Sequence, residues 1–274
     1  MSESGTRTSS SSSGLRYKDK VTIVTGGHRG IGKGIVDVFV QNGANVVFCS
    51  NDDAGGRSAE ASLQALGPGT AEFVFCELTK EADIKNLIDV TVKKYGRIDC
   101  LVNNAGTHPP HLPIDDFTAE DFRQLLDVNV VSFFLTSKSQ GNIINISSLT
   151  GHIGQQGSVT YGASKGAVTA LTKNLAVDEA KRGVRVNGIL PGNIWTPLWD
   201  EVAHTVPNPS AMLEWGKNCQ LMGRFGTTQE ISQACMYLAA EATYSTGMEI
   251  TVSGGSELDF ANKNVLKNGN PVQI

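Results

Sequence analysis

Seven short runs of apolar, largely β-branched residues recur along the chain, and most of the gaps between them carry apolar residues at helical spacing. That alternation restricts the possible folds more than any other feature. The first run, Val21-Thr-Ile-Val24, leads through a glycine cluster into Ile31, Ile35, Val38 and Phe39, a helical series closing near Gly43. Such a run is too uniformly apolar for a strand with one wet face and suits a parallel strand buried on both sides. Further strands are expected at Asn45–Cys49, Glu72–Cys76, Ile98–Val102, Asn142–Ile146, Val184–Ile189 and Met248–Val252. Helices are expected over about 56–66, around Ile84 to Val92, after Thr118, around Tyr161 to about Arg182, and from Thr227. The sets Thr118-Ala-Glu-Asp121 and Thr227-Thr-Gln-Glu230 read as capping boxes that open their helices. Strands alternating with helices imply an α/β fold, a doubly wound parallel sheet of about seven strands covered on both faces.

A chain of 274 residues buries a substantial single core, and one domain is expected over 15–258. The Ser-rich stretch 1–14 buries too little apolar surface to offset the entropy of ordering and is expected to be a disordered tail, with a C-terminal tail over 259–274. A net charge of −4 argues against a nucleic-acid surface. The chain has no apolar stretch of about 18 residues and no apolar leader, so no membrane span is expected and the cytoplasm is the expected location. Five cysteines, an odd number without CxxC or Cys/His spacing, indicate neither a disulfide framework nor a metal site.

Two motifs carry chemistry. Thr25-Gly-Gly-His-Arg-Gly-Ile-Gly32 joins the first strand to the first helix, where Gly26, Gly30 and Gly32 let a pyrophosphate approach backbone and helix dipole. Tyr161 and Lys165, four apart on a helix, share one face. An ammonium beside the phenol is expected to draw the tyrosine pKa down from about 10 toward neutrality, where the group exchanges a proton with an alcohol or ketone.

The glycine spacing, Asn103-Asn-Ala-Gly106 after strand four, Ser148 ahead of Tyr161, the Tyr–Lys pair and Pro191-Gly192 after strand six together resemble the short-chain dehydrogenases/reductases over about residues 16–258. More narrowly, the stretches Asn103–Pro110, Ile146–Leu149 and Pro191–Trp199 resemble the 17-beta-hydroxysteroid dehydrogenase 14 branch. The resemblance implies a Rossmann fold, a homotetramer, and hydride transfer between NAD or NADP and a secondary alcohol or ketone, a 17-beta-hydroxysteroid or similar hydrophobic molecule, without a metal. It implies Tyr161 as general acid/base, Lys165 holding the ribose and tuning the phenol, Ser148 bonding the substrate oxygen, and Asn129 supporting a proton relay. Cofactor contacts implied are Gly26, Arg29, Gly30, Ile31, Gly32, Ser50, Asn51, Glu77, Leu78, Asn104, Tyr161, Lys165, Ile194, Thr196 and Leu198; substrate contacts are His108, Ser148, Gln155 and Trp199. A strand-end cap for Ser148 and a helix-interior polar residue for Asn129 are the plain structural alternatives.

Two features depart from the family. Ser50-Asn51 stands where NAD-linked members carry an acidic residue against the ribose, and Arg29 is placed to neutralise a phosphate, so NADP becomes credible although the nearest branch is NAD-linked. The stretch between Asn129 and Ser148 is about eight residues short of the family pattern. A helix returning past a seven-residue strand must cover about 23 Å, or roughly 15 residues, so helical cover of the sheet and the oligomer contact are expected to suffer. That expectation opens a second reading, a nucleotide- or partner-binding protein with impaired catalysis. A third is an NADPH-linked ketoacyl reductase.

Overall fold

The computed structural model describes residues 14–138, 141–204 and 206–258. Apart from Gly14, the expected tails lie outside these. Strands β1 (Val21–Thr25), β2 (Asn45–Ser50), β3 (Thr70–Phe75), β4 (Cys100–Asn103), β5 (Asn142–Ile146), β6 (Val186–Pro191) and β7 (Glu249–Val252) form one sheet in the order β3-β2-β1-β4-β5-β6-β7. Every pairing is parallel. The order reverses between β1 and β4, so a crevice opens there beyond the strand ends. Because successive side chains point to opposite faces, the strands feed two cores: Val46 and Phe48 join Val24, Val102 and Ile144 on one face, while Val47 and Cys49 join Ile23, Leu101 and Ile143 on the other.

Helices α1 (Gly30–Gln41), α2 (Asp53–Leu63), α3 (Glu81–Tyr95), α4 (Ala119–Leu126), α5 (Ser132–Thr136), α6 (Val159–Glu179), α7 (Pro197–Ala203), α8 (Pro209–Asn218) and α9 (Thr228–Ala240) complete the chain. Both expected capping boxes are present, at Thr118 with Asp121 and at Thr227 with Glu230. Helices α7 and α8 had no counterpart in the sequence expectation. Each carries proline in its first turn, where the missing N–H costs nothing, and the Asn208 side chain accepts from Ala211 N at 3.0 Å to cap α8.

The expected loss of helical cover before β5 does not occur. Helix runs unbroken from Ala119 to Thr136 through a π-turn at Asp127–Val131, which at 1.5 Å per residue spans about 27 Å. The length comes from residues ahead of Asn129, since the helix starts ten positions earlier, at Ala119. Phe133 and Thr136 are buried, and β5 is buried along its whole length. The short return is closed at Gly141, whose φ of +140° only glycine adopts readily and whose Cβ position lies 2.9 Å from Ile98 O.

Between β4 and β5 a line of buried polar side chains crosses the apolar sheet. Asn103 and Asn145, directly paired in register, are bonded at 2.9 Å; Asn103 also accepts from Thr136 Oγ1 at 2.7 Å, and Asn145 donates to Thr172 Oγ1 of α6 at 2.9 Å. Each buried amide is thereby satisfied, as burial requires.

Candidate active site

The crevice floor is the glycine loop. Gly26 and Gly30 take positive φ, and a Cβ on Gly32 would lie 2.1 Å from Gly26 O. No side chain caps α1, so its dipole end faces the crevice, as a pyrophosphate requires. Thr25 Oγ1 accepts from the backbone of Asn104 (2.9 Å) and Ala105 (3.0 Å), and Asn104 Nδ2 donates to Thr25 O at 2.9 Å. Asn104 thus braces the loop rather than reaching into the crevice. Thr196, at the start of α7, faces Gly30, with Cγ2 3.6 Å from the Cβ position there. Glycines, open helix end and facing threonine form a cradle that fits a dinucleotide.

At the end of β2, Ser50 Oγ accepts from Asp52 N at 3.0 Å, and Asn51 Nδ2 donates to Glu77 Oε2 at 3.1 Å. Leu78 and Ile194 are buried in the two cores, so any cofactor contact they make falls to their backbone. Ile31 packs partly against the core, while Leu198 is exposed at the start of α7. Arg29 does not point to an open phosphate position: its Nη1 is 2.6 Å from Glu201 Oε1 of α7.

Tyr161 and Lys165 do share a face of α6, and the ammonium is 5.8 Å from the phenol ring centre. The expected lowering of the phenol pKa is not what the fold produces by itself. Burial pushes Tyr161 up to about 12, against a lowering hydrogen bond from Ser148, and burial pushes Lys165 down to about 8. Lys165 Nζ is directed at Ile146 O (3.0 Å) rather than at the phenol, so desolvation outweighs charge attraction. Ser148 stands just beyond β5, its Oγ accepting from Thr150 N at 3.2 Å, and it lies close enough to Tyr161 to oppose the rise in the phenol pKa.

Asn129 sits in the π-turn and is fully buried. Its Oδ1 accepts from Thr107 N (2.9 Å), and its Nδ2 donates to Thr107 O (3.0 Å) and to Ser164 Oγ of α6 (3.1 Å). With that side chain spent on structure, any relay role passes to the backbone of the π-turn. Gly106 lies between: a Cβ there would be 3.1 Å from Asn129 Oδ1 and 3.6 Å from Lys165 Nζ.

His108 lies over Tyr161, ring centres 4.1 Å apart, and stacks on His111 at 5.1 Å. Burial lowers its pKa, and its Nδ1 is 2.7 Å from Pro109 O. A neutral ring with its proton on Nδ1 leaves Nε2 as an acceptor. A cavity of about 300 Å³ opens beside Ser148, lined among others by Thr150, Gln155, Trp215, Asn218 and Cys219. Gln155 Oε1 accepts from Thr150 Oγ1 at 2.8 Å, and Asn218 Nδ2 donates to Glu214 at 3.3 Å. Among the described residues the Nε2 of Gln155 and the Oδ1 of Asn218 have no partner. Trp199 is not part of this lining; it packs on Phe225, centroids 4.9 Å apart, and against Gly216. Trp215, Asn218 and Cys219 were missed in the sequence, although their i, i+3, i+4 spacing behind the Asn208-Pro209 start places them on one face of α8.

The family model described as enoyl-(acyl carrier protein) reductase matches residues 26–257. The chain is a short-chain dehydrogenase/reductase. Among relatives of this dehydrogenase, the L-fucose dehydrogenase of Bos taurus is 50% identical over 258 residues, covering 91% of this chain and 94% of that one. The 3-oxoacyl-[acyl-carrier-protein] reductase of Chlamydia pneumoniae is 34% identical, covering 86% and 96%. The crystal structure of levodione reductase superposes with a TM-score of 0.85 at 27% identity, covering 89% of this chain and all of that one. The enzyme is therefore an NAD(P)-linked oxidoreductase acting on alcohol groups. The far higher identity lies with sugar dehydrogenases, and the expected steroid substrate gains no support from these relatives. Among the described residues no helix is long and apolar enough to cross a membrane.

Proposed function

We propose that the enzyme oxidises a hydroxyl group of a small cyclic polyol, a sugar of the L-fucose kind. The carrying observation is the cavity beside Ser148. At about 300 Å³ it lies at the small end of ligand pockets, which run roughly 300–1,000 Å³, and its walls are rich in amides and hydroxyls. Gln155 Nε2 offers a donor and Asn218 Oδ1 an acceptor for hydroxyls flanking the reacting carbon, while Trp215 offers apolar surface to the C–H face of a ring. A steroid has one or two oxygens to engage such a wall and leaves most of its polar groups unpaired, which is costly.

The reacting hydroxyl is held by Ser148 and Tyr161. Tyr161 accepts its proton as the C–H hydride departs, so the carbon loses two electrons and becomes a carbonyl. A bound oxidised nicotinamide supplies the hydride acceptor and a positive charge. Tyr161, held near 12 by burial, needs that charge together with the Lys165 ammonium to ionise. Ser148 steadies the developing negative charge on oxygen by its hydrogen bond, and the neutral His108 over the phenol keeps water from it.

The test is turnover of L-fucose, estradiol and a 3-oxoacyl thioester with NAD and NADP, beside Tyr161→Phe and Trp215→Ala. Fucose is expected to be preferred, Tyr161→Phe to lose about 10²–10⁴-fold in rate, and Trp215→Ala to raise KM for the sugar. Efficient estradiol turnover with no response to fucose refutes the sugar reading.

A further inference from the structure

The corner formed by the end of β2, the start of α2 and the glycine loop is where a dinucleotide's adenosine ribose is read in folds of this kind. A phosphorylated ribose needs a cation there; an unphosphorylated one is favoured by a nearby carboxylate. Neither Ser50 nor Asn51 is acidic, and the polar side chains at this corner are engaged with one another. Ser50 turns its oxygen to Asp52 N (3.0 Å), Asn51 gives its amide to Glu77 (3.1 Å), and Arg57 Nε is tied to Asp53 Oδ2 at 2.9 Å. Arg29 is the cation of the loop itself. Its neighbour His28 reaches the corner, with Nε2 4.0 Å from Asp52 Oδ2. Arg29 follows His28 directly in the glycine loop, so its side chain starts one residue from that corner.

That cation is held from the other side. Arg29 Nη1 is 2.6 Å from Oε1 of Glu201 on α7, and both side chains are about half exposed, so among the described residues it is this carboxylate that draws the guanidinium toward α7. We propose that Glu201 is a positioning residue for cofactor choice: by holding Arg29 against α7 it withholds the cation that a ribose 2′-phosphate needs, and so makes the enzyme select NAD over NADP. The carboxylate acts twice, by occupying the guanidinium and by opposing a second anion nearby. Asp52 and Glu77 at the corner act in the same direction. The missing acidic residue at the end of β2 is thus replaced by an acidic residue from α7, some 150 positions further along the chain.

The experiment is calorimetric measurement of the Kd of NAD and of NADP for the wild-type enzyme, Glu201→Gln, Glu201→Lys and the double variant Arg29→Ala/Glu201→Gln. Exposed ion pairs set the scale, so Glu201→Gln is expected to tighten NADP on the order of two- to fivefold. NAD is expected to stay within about twofold, and Glu201→Lys to favour NADP further. The gain should shrink with added salt, as exposed charge effects do, and should vanish in the double variant. Thermal midpoints should stay close to wild type, since neither side chain is part of the core. Equal tightening of both cofactors overturns the proposal, because the pair would then govern entry to the cleft rather than the choice of phosphate. So does an unchanged NADP affinity, or a gain that survives removal of Arg29.

Discussion

Replacing Gly32 by alanine sets a gain in helix propensity against a collision with the glycine loop, and the distances decide which wins. The added Cβ would stand 2.1 Å from Gly26 O, 2.5 Å from Asn104 Nδ2 and 2.8 Å from Gly26 C. Contact for carbon lies near 3.5 Å, so more than about 1 Å of relief is needed. Two of the three atoms are backbone, and the third is the amide that bonds Thr25 O at 2.9 Å. Overpacking of this sort costs about 1–3 kcal/mol, while alanine returns at most about 1 kcal/mol in a helix. A net loss on the order of 1–2 kcal/mol is expected, together with a displaced loop and weaker cofactor binding. Urea unfolding reads the first, with the midpoint falling at unchanged slope; quenching of tryptophan fluorescence by the cofactor reads the second. Gly34→Ala is the control. Its Cβ meets Thr228 Cβ of α9 at 2.8 Å, away from the crevice, so it should lose stability and keep its cofactor affinity. A Gly32→Ala protein with wild-type midpoint and Kd refutes the account of the loop as a close-packed cradle.

Two further outcomes follow from the same structure. Burial holds the folded pKa of His108 below its ordinary value, so the unfolded chain binds the extra proton first; stability should be steady above about 6.5 and fall as pH drops below it. His108→Phe should flatten that slope in pH-dependent urea unfolding. Thr118→Ala removes the capping box that starts α4 and should cost about 1 kcal/mol, visible as a lower midpoint with KM for cofactor unchanged.

Most of the sheet was legible because its strands are buried on both faces, so runs such as Val21–Val24 and Asn142–Ile146 announce themselves without alternation. Ends were less so: β3 begins at Thr70 rather than Glu72, and β6 ends at Pro191 rather than Ile189, since pairing with the neighbouring strand, which composition cannot see, sets where a ladder stops. The glycine loop, Ser148, Tyr161 and Lys165 were legible as chemistry at a spacing. Their electrostatics were not. A phenol pKa depends on how deeply α6 is packed and where the lysine finds a carbonyl, and Ile146 is close to Lys165 only in three dimensions. Helix α8 hid although Asn208-Pro209 signals its start. The partner of Arg29 is 172 residues away, beyond any local pattern.

The polar line from Thr136 through Asn103 and Asn145 to Thr172 bears on how the chain reaches this arrangement. The parallel strands here are largely apolar at their centres, and apolar contacts alone do little to tell correct alignment from a neighbouring one. Asn103 and Asn145 meet only when Cys100 is opposite Asn142. A slip of one residue turns the amide of the slipped strand to the other face and leaves both amides without their partner, at about 1–3 kcal/mol for each unpaired group. The amides therefore serve as an error check on assembly, rejecting misaligned sheets before Ser148 and Tyr161 are brought together at the strand ends.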